Sequence, residues 1–137
     1  MNPVIIQGRV KTAKKVKAYV HALAKELGIN RLYSKVIMVT FTTKLDGEAQ
    51  GLCWGDYRSH AEISIARSSC GVSFTLEEMM QTLAHEMVHA KQFLRRELCG
   101  GTMSWKGRKP RKYKYENAPW EKEAYALEEQ LFKKHWV

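Results

Sequence analysis

The chain has 137 residues, 45% of them hydrophobic and 27% charged, proportions that fit one ordinary globular domain (residues 1–137) and leave no room for a second. With 23 Lys and Arg against 14 Asp and Glu the net charge is +9, which points to anionic partners, and no apolar run approaches the roughly 18 residues a membrane-crossing helix needs. Cys53, Cys70 and Cys99 are an odd, widely spaced set, so neither a disulfide framework nor a four-cysteine zinc site is expected; with no secretory leader, a reducing cytoplasm is the expected compartment.

The first apolar run, Val4-Ile5-Ile6, is short and is followed by a lysine-rich segment. From Thr12 onward Val16, Tyr19, Val20, Leu23 and Leu27 recur at helical spacing, with Thr12 as N-cap and Gly28 as stop; Lys14, Lys15, Lys17 and Lys25 form its solvated face. Residues 35–43, rich in β-branched side chains, predict a strand ending at the turn signal Asp46-Gly47, and residues 50–57 and 60–66 predict two shorter ones. Thr75-Leu-Glu-Glu78 has the form of a capping box and opens the most periodic segment of the chain, running to about Leu98 before Gly100-Gly101. Residues 100–118 lack periodicity and read as a long basic surface loop. Pro119 suits the first turn of a last helix whose stripe is Trp120, Ala124, Leu127 and Leu131. Helix, about three strands, then helices is an α+β order.

His85-Glu86-Met87-Val88-His89 is the stretch with the most chemistry. Histidines four apart on a helix project from one face and can both ligate zinc, and the glutamate between them can act as general base on a metal-bound water. Leu76, Met79, Leu83, Met87, Ala90 and Leu94 fall on the opposite side of the helix, so the histidines are not ordinary core packing. A catalytic zinc needs a third protein ligand; Glu121, Glu123 and His135 offer one, and helical angles do not choose between the two glutamates. In residues 105–115 the cations Lys106, Arg108, Lys109, Arg111, Lys112 and Lys114 are interleaved with Trp105, Tyr113 and Tyr115, a mixture suited to neutralising a nucleic-acid backbone and stacking on bases, DNA among them. A basic nucleic-acid-binding or structural module with a non-catalytic metal site is therefore the alternative to an enzyme.

The motif at 85–89, followed across a loop by Pro119-Trp120-Glu121-Lys122-Glu123-Ala124-Tyr125, resembles the zincin superfamily of zinc peptidases in its glutamate-ligand branch. The resemblance maps the third ligand onto Glu121, at the head of a Glu-x-x-Ala pattern, and puts Tyr125 where an aspartate often stands. The stretch His85 to Ala90 is also similar to the small SprT-like metalloproteases associated with DNA, and residues 105–121 to small phage-encoded proteins of that kind; SprT-like proteins usually take a third histidine from the following loop, and residues 90–118 hold none. The fold implied is a minimal zincin: a small mixed sheet packed on the histidine helix, the last helix closing the metal site, and His60–Ala66 as the edge strand that pairs with an extended peptide substrate. The activity implied is hydrolysis of protein or peptide substrates with Zn2+ on His85, His89 and Glu121, Glu86 as general base, and Tyr113, Tyr115, Tyr125 or His135 as donor to the oxyanion.

Overall fold

The computed structural model describes residues 1–100 and 102–137. Alternation of apolar side chains builds the sheet: Ile37, Val39 and Phe41 of β2 (Val36–Thr42) and Ala61, Ile63 and Ile65 of β4 (His60–Ala66) are buried on one face. The three strands read from the sequence are joined by β1 (Val4–Gln7), which pairs parallel to β2 in the register Ile5↔Met38. Four residues carry too little alternation to announce a strand; the neighbour makes it one. The order is β1-β2-β4-β3, with β3 (Gly51–Asp56) antiparallel to β4.

That order corrects the expected edge. His60–Ala66 is not an edge strand but lies between β2, parallel to it, and β3. Its side chains Ala61, Ile63, Ile65 and Ala66 are fully shielded, as suits a strand with both backbone edges paired. The sheet's edges are β1 and β3, and β3 is the one packed against the histidine helix.

α1 (Ala13–Glu26) buries Val16, Tyr19, Val20 and Leu23 as their spacing predicts, and ends where Gly28 takes φ +76°. Thr12, however, is no side-chain cap: it stands in the left-handed region at φ 54°, and its hydroxyl donates to the Lys11 carbonyl. At α2 (Leu76–Leu94) both capping-box bonds form, Glu78 N to Thr75 Oγ1 at 3.1 Å and Thr75 N to Glu78 Oε1 at 2.9 Å. α2 stops at Leu94, short of Leu98, because Arg96 turns to φ 59° and Leu98–Cys99 (β7) pairs with Ser104–Trp105 (β8). Two more short strands, β5 (Ser68–Ser69) and β6 (Val72–Ser73), form the hairpin ahead of α2.

The stretch 100–118 is thus a surface loop only in part. Its first residues belong to the β7–β8 hairpin, whose Trp105 is buried against Phe93 and Leu98, and Gly101 lies outside the described residues. Lys106 to Lys114 form an exposed strap, and Tyr115–Asn117 makes one 3-10 turn before α3 (Pro119–His135), with Pro119 in its first turn as expected. α2 packs against β3 and β4 on one side and against α3 on the other. This double cover explains why residues 83–90 of α2 are all buried, including the face opposite the apolar stripe. Among the described residues, no helix is long and apolar enough to cross a membrane.

Candidate metal centre

Position on two helices brings three side chains together. His85 and His89 lie one turn apart on α2, and Glu121 sits in the first turn of α3, which lies across them. His85 Nε2 is 3.1 Å and His89 Nε2 is 3.2 Å from the same oxygen, Glu121 Oε1, and the three atoms lie within 4.8 Å of one another. All three residues are buried.

The outer side of each imidazole is also held. His89 Nδ1 meets Gln92 Oε1 at 2.8 Å, while Gln92 Nε2 donates to the Trp120 carbonyl at 3.0 Å and to Glu123 Oε1 at 2.9 Å. Since the amide nitrogen is committed to two acceptors, the amide oxygen must face His89, and His89 Nδ1 must carry a proton. His85 Nδ1 lies 3.4 Å from Glu128 Oε1, a carboxylate whose charge favours a proton on that nitrogen. Both Nε2 atoms of the neutral rings then present lone pairs toward a carboxylate oxygen. Three such atoms converging in a buried space call for a cation, so His85, His89 and Glu121 could hold a metal ion.

In the ion-free chain protons take that place. Burial opposes charge on His85 and His89, yet hydrogen bonding to Glu121 and the nearby Glu86 charge leave both imidazoles above their usual pKa. Burial also opposes charge on Glu121, but the two histidines pull its pKa down to about 2.

Glu123, the other glutamate considered as third ligand, is not part of this cluster. It accepts from Lys91 Nζ at 3.1 Å as well as from Gln92, and Lys91 bridges onward to Glu97 at 2.8 Å. His135 is excluded both as ligand and as oxyanion donor, since it pairs with Glu26 at 3.2 Å at the far end of α3.

Glu86 is 6% exposed, and its burial lifts its pKa to about 7. It lines two adjoining cavities of about 160 and 350 Å³. The first lies toward Phe93 and Trp120, the second toward Thr82 and Glu128, and Tyr115 lines both. The edge strand passes close over the carboxylate: a Cβ on Gly51 would stand 2.7 Å from Thr82 Cγ2 and 3.1 Å from Glu86 Oε2. Cys53, on the same wall, is held as the thiol by burial and by the Glu86 charge, which removes it as a nucleophile.

The tyrosines separate by position. Tyr125 lays its ring 4.6 Å from that of His85 and meets the Tyr115 hydroxyl at 3.5 Å. Burial and its hydrogen bonds hold the Tyr115 phenol well above its usual pKa, so it remains a proton donor. Tyr113 lies farther out, edge-on to Trp120, and lines a third cavity of about 490 Å³ with Arg111 and Glu121. Lys106, Arg108, Lys109, Arg111, Lys112 and Lys114 are all exposed.

Sequence reasoning missed Gln92, Glu128 and Gly51. Two of these left a trace: Gln92 follows His89 by three positions and Glu128 follows Glu121 by seven, spacings that share a helix face. Comparison of the chain with family models, curated proteins and solved structures finds no match.

Proposed function

We propose that this chain is a zinc-dependent metallopeptidase of the zincin type, with His85, His89 and Glu121 as ligands and Glu86 as general base. The observation that carries the reading is the convergence of His85 Nε2, His89 Nε2 and Glu121 Oε1 beside a buried carboxylate, in a cleft walled by a free sheet edge. Two nitrogens and one carboxylate oxygen are a ligand set zinc accepts, and they leave room in its coordination for solvent or substrate. An ion so held supplies Lewis acidity, polarising a carbonyl and acidifying water.

The chain's own residues supply the rest. Glu86, with a pKa near 7 from burial, can take a proton from water in the cleft and return it to the departing amine. The unpaired edge of β3 offers main-chain donors and acceptors to an extended polypeptide, and the close passage at Gly51 brings that polypeptide to the carboxylate. Tyr115 and Tyr125, both lining the cavity that holds His85 and Glu86, are the donors in place for an oxyanion. Gln92 and Glu128 keep the imidazoles turned toward Glu121.

The test pairs metal content with cleavage of an unfolded protein substrate. Purified chain is expected to hold about one zinc; Glu86→Gln should keep the metal and lose about 10²-fold or more in turnover, whereas His85→Ala should lose the metal. Undiminished cleavage by Glu86→Gln would end this reading. The six exposed cations of residues 106–114 support a second reading, a nucleic-acid-binding module whose metal site is structural, in which case oligonucleotide affinity falls steeply with salt and no substrate is cleaved.

A further inference from the structure

We propose that the strap of residues 106–114 selects the substrate: it recognises polypeptides that carry a cluster of acidic side chains a few residues from the bond cleaved. This rests on the peptidase reading above and deepens it by naming a substrate class.

Three observations carry the inference. The strap stands at the cleft, because Arg111 and Tyr113 line the 490 Å³ cavity whose other wall includes Glu121, and that cavity shares Met103, Tyr115 and Trp120 with the one beside Glu86. It is pinned rather than loose. Trp105 is buried at one end, Ala118 at the other, and Tyr113 rests edge-on against Trp120 at 5.6 Å between ring centres. Its charge is answered only weakly from within: among the described residues, none of Lys106, Arg108, Lys109, Arg111, Lys112 and Lys114 belongs to a close ion pair, although other lysines of this chain do, and Lys106 alone is felt by an acidic group, Glu123. Six like charges gathered with so little counter-charge repel one another, and an anionic segment laid along them relieves that repulsion.

A polypeptide fits this place better than a nucleic acid. The cavity of about 160 Å³ next to Glu86 has an apolar wall of Phe93, Leu98 and Trp120 beside His89 and Glu121, where a substrate side chain can lie. The β3 edge supplies backbone partners for a strand. Between residues 106 and 114 the one aromatic side chain is Tyr113, already packed T-shaped against Trp120, so the strap holds no row of rings on which successive bases could stack.

The experiment uses the zinc-loaded full chain and quenched-fluorescence decapeptides with a central Phe and three Asp on one flank or the other, each matched by an Asn counterpart. For one flank, kcat/KM is expected to favour Asp over Asn by about tenfold at low salt, with the ratio shrinking as NaCl rises to about 0.5 M. The triple variant Lys109→Gln/Arg111→Gln/Lys112→Gln should bring the ratio to about one. Binding gives a readout independent of turnover: the Glu86→Gln chain should hold a labelled Asp peptide about tenfold more tightly than its Asn partner, with the same salt dependence. Cleavage of Asp and Asn peptides at equal rates overturns the role of the strap alone. Failure to cleave any of them overturns the peptidase reading beneath it. A single-stranded oligonucleotide that binds more tightly than the Asp peptide, and is the only ligand lost in the triple variant, also overturns the proposal and assigns the strap to nucleic acid.

Discussion

Gln92 has no exposure to solvent, and its amide joins four groups: His89, the Trp120 carbonyl, Glu123 and, through Glu123, Lys91. Truncating it leaves the buried His89 Nδ1–H without its acceptor and takes a donor from the Trp120 carbonyl and from Glu123, which Lys91 still holds. Gln92→Ala is therefore expected to weaken zinc binding by about 10- to 100-fold and to cost about 1–3 kcal/mol of stability, measured by chelator competition and urea unfolding. The protonation of the ligands sets a second expectation. In the ion-free chain the histidines have raised pKa values, so their contribution to stability is complete below the unfolded imidazole value of about 6.5 and is lost as pH rises through the folded one. Zinc demands the deprotonated rings, so ion binding strengthens over the same interval. Thermal melts from about pH 6 to 8 should thus show Tm falling with pH without the ion and the stabilisation by added zinc growing with pH. Parallel trends would contradict the assignment of the two imidazoles as ligands.

At the scale of elements, the contact of β3 with α2 controls the height of the cleft wall. Gly51 and Gly55 both face α2, where a Cβ on Gly55 would come 2.7 Å from Phe93 Cβ. Gly51→Ala must move either Thr82 or the Glu86 carboxylate. We expect zinc content to be unchanged and peptide turnover to fall at least about tenfold, since a displacement near 1 Å at a reacting group carries a penalty of that order or more. Equal turnover in Gly51→Ala would show that the strand can retreat without disturbing Glu86. The start of α2 depends on its capping box, and Thr75→Ala should cost about 1 kcal/mol in denaturant unfolding while leaving metal content intact, because the ligands lie more than two turns away.

For the whole molecule, Tyr19 links layers: its hydroxyl, buried beneath α2, donates to the Met80 carbonyl at 2.9 Å. Burial raises its pKa far above the ordinary phenol value. A raised folded pKa means that this stability is present below about pH 10 and is lost as pH climbs beyond it, because the unfolded chain releases the proton first. Tyr19→Phe should be less stable at neutral pH, yet show a loss of stability above about pH 10 that is shallower by up to about 1.4 kcal/mol per pH unit. Equilibrium denaturation at several alkaline pH values checks both halves of that expectation.

Periodicity and capping are local properties, so α1, α2, α3 and strands β2, β3 and β4 could be placed from the chain alone, and so could the projection of His85 and His89 from one face of a helix. What local pattern cannot hold is the identity of the neighbour. Glu121 and Glu123 flank the same apolar stripe; only the seating of α3 on α2 directs one at the imidazoles and the other at Lys91 and Gln92. Val4–Gln7 becomes a strand because β2 lies beside it, and His60–Ala66 becomes central rather than an edge because β3 and β2 close on it from both sides. Helices arise from contacts a few residues apart, which a sequence displays directly. Sheet order and the choice of ligand arise from contacts tens of residues apart, and these exist only once the chain has packed.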